Sequence, residues 1–96
     1  MAELIYYYRI LNLEGDIIEI KIWGVKKSID FPHGLKYSLV YINKNKRLLG
    51  YDNERMKGDH KHYFNKQIKY NFIDIDKLRD DFEKDVKELR RKLYGN

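Results

Sequence analysis

The sequence predicts an α+β fold, in which an antiparallel meander sheet of about six strands is packed by one C-terminal amphipathic helix. Two patterns support this fold class. β-Branched and aromatic runs separated by turn residues fill the chain up to residue 72, and apolar residues spaced three or four apart follow Asp74. A length of 96 residues suits one hydrophobic core, so we expect a single α+β domain over 1–96.

The chain begins with a predicted β-hairpin. Two apolar runs, 3–13 and 17–26, are separated by Glu-Gly-Asp, a combination that favours a turn. Within the second run Ile18, Ile20 and Ile22 alternate with charged or polar neighbours, which is the pattern of a strand with one buried face. This isoleucine row is the expected packing surface for the helix.

A loop over 27–34 follows the hairpin and contains the one proline of the chain. Polar turns then connect a series of short strands, so the strand order is expected to be that of a meander. The remaining strands are predicted at 35–42, 47–53, 59–64 and 68–72.

The period of the apolar residues changes from two to three or four after Asp74, which indicates one amphipathic helix. Asp74 is the expected N-cap and Gly95 the expected stop. The stripe is predicted to pack on the sheet. Because its spacing is close to a heptad, contact with a second subunit in a homodimer, or with a partner protein, is the alternative. The stripe consists of Ile75, Leu78, Phe82, Val86, Leu89 and Leu93.

The net charge of +5 lies in one segment, residues 43–70, which holds eight basic and three acidic side chains. On either side of it, basic and acidic residues cancel. Tyrosines and a phenylalanine are interleaved with these cations, a combination that suits a phosphate backbone with stacked bases. The alternative is that lysines on strand edges only prevent edge-to-edge pairing of sheets.

The absence of cysteine excludes a disulfide framework and a thiolate zinc site, which favours the cytoplasm as the location. The first ten residues read as a strand rather than a signal peptide, because they include Glu3 and Arg9 and lack a small-residue cleavage site. Charged residues interrupt every apolar run, so we expect a soluble protein with no membrane span.

Two histidines one residue apart are the candidate catalytic residues. In a strand over 59–64, His60 and His62 point to the same face, about 6.5–7 Å apart, a gap that can bracket a phosphate. Histidine suits both proton transfers of RNA cleavage, because its ordinary pKa lies near working pH. We assign the pair as acid and base, with Asp52 or Asp59 beside one of them to hold its tautomer.

The same segment supplies the candidate contacts to RNA. Basic side chains in the loop and on the strand are expected to stabilise phosphate charge, and tyrosines are expected to stack on bases or orient them. The predicted nucleic-acid-binding residues are Tyr51, Asn53, Arg55, Lys57, Lys61 and Tyr63.

A metal site is the second functional interpretation, since two histidines and a carboxylate could ligate zinc or another transition metal ion. His33 is expected in a distant loop, and the basic neighbours disfavour a cation. We therefore predict no metal and no cofactor. Under the structural alternative, His60 and His62 are ordinary polar residues on an exposed strand.

The order of motifs over residues 47–90 resembles the TumE-like toxins of prokaryotic toxin–antitoxin modules. The resemblance implies a small toxin whose partner is a helix-turn-helix antitoxin, and an RNA-directed activity is usual for toxins of this size. The motifs are Gly50-Tyr51-Asp52-Asn53, Gly58-Asp59-His60-Lys61-His62-Tyr63, Tyr70-Asn71-Phe72, Asp81-Phe82 and Asp85-Val86.

The resemblance implies a toxin, and together with the charge and histidine patterns it favours one that binds RNA and cleaves it as a metal-independent endoribonuclease. The alternative is a protein of a different functional class, a non-catalytic module that binds nucleic acid or a partner protein through the same strands. A purely structural subunit is the third interpretation.

Overall fold

The chain forms one antiparallel sheet with one helix on it, as the sequence predicts. The computed structural model describes residues 2–54 and 57–95. The strands follow one another across the sheet in chain order, and each pairs antiparallel with the next. The elements are β1 (Glu3–Leu11), β2 (Asp16–Gly24), β3 (Leu35–Asn43), β4 (Lys46–Glu54), β5 (Gly58–Tyr63), β6 (Lys66–Lys69) and α1 (Ile75–Tyr94).

Two tight turns set the register of the sheet around the later strands. Lys44 and Asn45 join β3 to β4 with φ angles of 49° and 66°, in the left-handed region that two-residue hairpin turns require. Phe64 takes a φ of 56° between β5 and β6. Because Phe64 already belongs to this turn, β6 begins at Lys66, two residues before the predicted start, and ends at Lys69.

The helix begins and ends where the sequence predicts. The Asp74 side chain accepts a hydrogen bond from the Lys77 backbone N–H at 2.7 Å, and Gly95 closes the last turn with a φ of 77°. The predicted stripe is buried from Leu78 to Leu89, whereas Leu93 is 44% exposed and does not belong to the core. No helix in the described part of the chain combines the length and apolar content needed to cross a membrane.

The core lies between α1 and one face of the sheet, which we call the helix face. Phe82 of the helix meets Tyr51 of β4 edge-on, with ring centroids 5.9 Å apart. The predicted isoleucine row is part of this contact. Buried sheet residues on the helix face are Ile20, Ile22, Tyr37, Leu39, Tyr41, Leu49 and Tyr51.

The opposite face of the sheet carries the residues that alternate with this core set. We call it the open face, since α1 covers the other side. Residues on this face of β3 to β6 include Ser38, Val40, Gly50, Asp52, His60, His62, Gln67 and Lys69.

A buried carboxylate fastens the end of the helix to the first hairpin. Asp16 is 1% exposed and accepts hydrogen bonds from Asn43 Nδ2 at 2.6 Å and from the Tyr94 hydroxyl at 3.1 Å. The guanidinium of Arg90 contacts the second carboxylate oxygen. The pairing of a buried charge with a cation and two further donors explains why Asp16 can lie in the core.

Candidate active site

The pairing of β4 with β5 brings Asp52 and the two histidines together on the open face. In the strand register Asp52 lies directly opposite His60, and Gly50 lies opposite His62. Lys61, between the histidines, points to the helix face, where it contacts Asp85. The prediction that both histidines share one face is therefore confirmed.

The two imidazole rings contact each other rather than enclosing a ligand. Their centroids are 4.8 Å apart and the ring planes are nearly perpendicular. The expectation that His60 and His62 bracket a phosphate was wrong, because this spacing leaves no room for one between the rings.

His60 makes two contacts that locate its hydrogens. Its Nδ1 is 3.0 Å from the Gly58 carbonyl oxygen, and since that oxygen only accepts, Nδ1 donates. On the other side of the ring Nε2 contacts Asp52 Oδ1, and both atoms are buried. A carboxylate oxygen and a bare ring nitrogen would repel each other, so this contact requires a proton that the Asp52–His60 pair shares.

The three side chains differ in their access to solvent. His60 is only 3% exposed, whereas Asp52 is 21% and His62 is 19% exposed. The His62 Nε2 atom is 3.9 Å from Asp52 Oδ1. A substrate on the open face can therefore reach Asp52 and His62, and His60 lies behind Asp52.

The environment of His62 favours its neutral form. Burial lowers the pKa of His62 below its ordinary 6.5, and the nearby Arg47 guanidinium lowers it further, while Asp52 acts in the opposite direction with smaller effect. His62 is consequently mostly neutral at pH 7, which is the form that accepts a proton.

Arg47 is a component of the open face that the sequence prediction omitted. The β3–β4 register shifts beside Tyr41, so that Leu48 is skipped and Arg47 pairs with Ile42. The Arg47 side chain then covers Gly50, and a Cβ atom placed on that glycine would lie 3.6 Å from the guanidinium. This geometry brings a cation beside His62.

Two predicted RNA contacts lie on the helix face instead of beside the histidines. Lys61 Nζ is 3.0 Å from Asp85 Oδ2, and its ammonium lies 5.5 Å from the Tyr51 ring centroid. Tyr51 is 2% exposed and donates its hydroxyl hydrogen to the same Asp85 oxygen at 2.5 Å. Both residues connect the sheet to α1.

Asn53 is also buried, at 3% exposure. Its side-chain oxygen accepts from the Tyr37 backbone N–H at 2.9 Å, and its amide donates to the Leu35 carbonyl at 2.8 Å. Asn53 therefore fastens β4 to the start of β3. It is separated from the open face by the sheet itself.

The remaining predicted contacts have different surroundings. Tyr63 pairs with Leu49 and packs partly against the core. Lys57 lies in the β4–β5 loop, where its Nζ is 3.6 Å from a Glu54 carboxylate oxygen. Arg55 lies outside the described residues.

A second histidine–carboxylate contact lies at the start of β5. His33 Nε2 is 3.1 Å from Asp59 Oδ2, and the Tyr37 hydroxyl donates to Asp59 Oδ1 at 2.6 Å. The His33 ring also contacts Phe72, with centroids 4.3 Å apart. The expectation that the His33 loop is distant was wrong, and Asp52 rather than Asp59 is the carboxylate that contacts His60.

The three donors on the open face could also hold a metal ion. One ligand atom each from Asp52, His60 and His62 lie within 4.8 Å of one another. In many metal sites the histidine nitrogen that does not bind the metal donates a hydrogen bond to a backbone carbonyl, and His60 Nδ1 makes such a contact with Gly58. The positive charge of Arg47 next to His62 opposes a cation at this position.

The fold and the site define a small α+β protein with a buried histidine in contact with a partly exposed carboxylate, an accessible histidine and an arginine on one sheet face. A family model described as Toxin TumE matches residues 3–90. The chain belongs to the TumE toxin family, and is thus the toxin component of a toxin–antitoxin module whose partner is an antitoxin. The search of the curated proteins and the search of the solved structures each found no match.

Proposed function

We propose that this toxin is a metal-independent endoribonuclease that acts on single-stranded RNA at the open face. The observation that carries the proposal is the contact between Asp52 and His60, which requires a proton between them, beside the mostly neutral His62. One group thus holds a proton and its neighbour can accept one. This is the combination that general acid–base catalysis requires.

The reaction is cleavage by the neighbouring 2′-hydroxyl. His62 Nε2 accepts the 2′-OH proton, and the 2′-oxygen attacks the adjacent phosphorus. The bond from phosphorus to the 5′-oxygen breaks, and that oxygen receives the proton of the Asp52–His60 pair through Asp52. The products are a 2′,3′-cyclic phosphate and a 5′-hydroxyl end, and proton exchange with water resets both groups.

The difference in exposure assigns the roles of the two histidines. His62 is accessible and acts on the substrate directly. His60 is buried, so it acts as a positioning residue that holds the Asp52 carboxyl group in place through their contact. Loss of His60 should therefore release Asp52 from its position rather than remove a direct contact with RNA.

The charge distribution supports RNA as the substrate class. The whole positive surplus of the chain lies in 43–70, the segment that contains β4 to β6. Cations that contact phosphates release counterions, so binding should weaken steeply as salt rises. We also propose that the toxin works in the cytoplasm, because both its proposed substrate, RNA, and its antitoxin partner would be found there.

The experiment that tests the proposal uses the purified toxin and two matched oligonucleotides, one of RNA and one carrying a single 2′-deoxy nucleotide at the cleaved position. We expect cleavage of the first to a 2′,3′-cyclic phosphate and no cleavage of the second at that position. Binding of RNA without any cleavage would favour the alternative of a non-catalytic nucleic-acid-binding module. Absence of binding at about 50 mM salt would remove RNA as the ligand.

We propose a helix-turn-helix protein as the antitoxin, as the family resemblance implies. Strand β1 supports contact with a protein, since it lies at the edge of the sheet and exposes apolar side chains on both faces. Leu4, Ile5 and Tyr7 are each more than half exposed. If β1 also binds a second copy, a homodimer forms, and the mass of the isolated toxin in solution distinguishes the two cases.

A further inference from the structure

We infer that Arg47 binds the scissile phosphate of the RNA, and that the surface of the open face between the Arg47 guanidinium and His62 is the phosphate site. The inference rests on the proposed function and names the group that holds the reacting phosphodiester. Arg47 was not among the residues that the sequence pattern assigned to RNA.

The geometry of β4 directs the Arg47 side chain to this position. Gly50 lies directly opposite His62 in the strand register, and it has no side chain of its own on the open face. The Arg47 guanidinium occupies that space, 3.6 Å from where a Cβ atom on Gly50 would lie. Gly50 is buried although it lies on the open face, because Arg47 covers it.

The charge of Arg47 is free to bind an anion. Within residues 2–54 and 57–95, no carboxylate lies within 4 Å of its guanidinium, whereas Arg9 on the same face is 3.0 Å from Glu19 and Lys61 is 3.0 Å from Asp85. A cation that lies over the sheet and has no carboxylate beside it among the described residues is a suitable phosphate ligand. The planar guanidinium can donate two parallel hydrogen bonds to one phosphate.

The position of Arg47 also suits the chemistry. Arg47 stabilises neutral His62, which must accept the 2′-OH proton. As the 2′-oxygen attacks, negative charge grows on the non-bridging phosphate oxygens, and a guanidinium already in place stabilises it without rearrangement. One side chain thus holds the substrate and keeps the base deprotonated.

The binding experiment uses inorganic phosphate as the probe and does not depend on cleavage. The ring signals of His62 are followed by NMR during a phosphate titration of wild-type toxin, Arg47→Ala and the matched control Arg9→Ala, with a sodium chloride titration over the same ionic strengths to detect an effect of ionic strength alone. We expect saturable shifts in wild type and in Arg9→Ala, and at least tenfold weaker binding in Arg47→Ala. Equal binding by all three proteins overturns the inference.

The cleavage experiment compares the same variants and Arg47→Lys on RNA. We expect Arg47→Ala to lower kcat/KM by roughly 10²-fold, Arg47→Lys to recover part of the loss because it restores charge without the bidentate geometry, and Arg9→Ala to stay within about twofold. Cleavage that is unaffected in Arg47→Ala rejects the phosphate site and leaves the proposed function intact. Phosphate binding that needs Arg47 in a protein that cleaves no RNA rejects the proposed function and keeps the anion site.

Discussion

Replacement of Phe82 by alanine tests whether the C-terminal helix is part of the core. Phe82 is 1% exposed, and its ring meets Tyr51 edge-on in the centre of the contact between α1 and the helix face. The substitution removes a whole buried ring while alanine preserves the helix. The expected effect is therefore that of a cavity between helix and sheet.

Truncation of a fully buried phenylalanine costs about 3–5 kcal/mol of unfolding free energy. For a chain of 96 residues the entropy of unfolding at the midpoint is about 0.2 kcal/mol per kelvin. The two values together predict a fall in the melting temperature of roughly 15–25 °C.

The assay is thermal unfolding followed by circular dichroism, with Leu93→Ala as the control on the same helix. Leu93 is 44% exposed, so its truncation should shift the melting temperature by only about 3 °C or less. A Phe82→Ala protein that melts with the wild type would refute the reasoning. The apolar stripe would then be a surface for a partner rather than part of the core.

Three further predictions follow from other contacts. Burial opposes ionisation of Asp16, but hydrogen bonds led by that from Asn43 outweigh it and lower the pKa of the carboxyl below its ordinary 3.8. Asp16→Asn should therefore cost about 1–3 kcal/mol in urea unfolding at pH 7, and the difference should disappear as the pH falls below that lowered pKa. Lys61→Ala should leave RNA affinity within about twofold in fluorescence anisotropy, because Lys61 contacts Asp85 on the helix face, whereas Lys69→Ala on the open face should weaken it. Cleavage should survive dialysis against a chelator, and loss of activity that zinc restores would assign the open-face donors to a metal ion instead.

The fold was largely predictable because local pattern and tertiary structure agree in this chain. Alternating isoleucines on β2, the Asp74 cap and the Gly95 stop each act through local geometry, and each is found where the pattern indicates. The exception is the start of β6. An aromatic residue at a positive φ is unusual, so nothing in the sequence marks Phe64 as a turn residue.

The candidate site was predictable only in part, because its composition depends on which face each side chain occupies. Alternation was sufficient to put His60 and His62 together, and it also explains why Lys61 is on the other face. Arg47 is four residues before Tyr51, so strict alternation along the strand would place both residues on the helix face. A register shift at Leu48 reverses that assignment, and the sequence contains no proline or glycine at this position to indicate one.

The measurement that tests the central claim most directly compares cleavage and RNA affinity in His62→Ala, with His33→Ala as the control histidine, which contacts Asp59 instead. Proton transfer by His62 would lower the energy of the transition state but would contribute little to the binding of uncleaved RNA. The account predicts that His62→Ala lowers kcat by roughly 10²-fold or more while its Kd for uncleaved RNA stays within about threefold, and that His33→Ala changes neither by a comparable amount. Cleavage at the wild-type rate by His62→Ala would contradict the account.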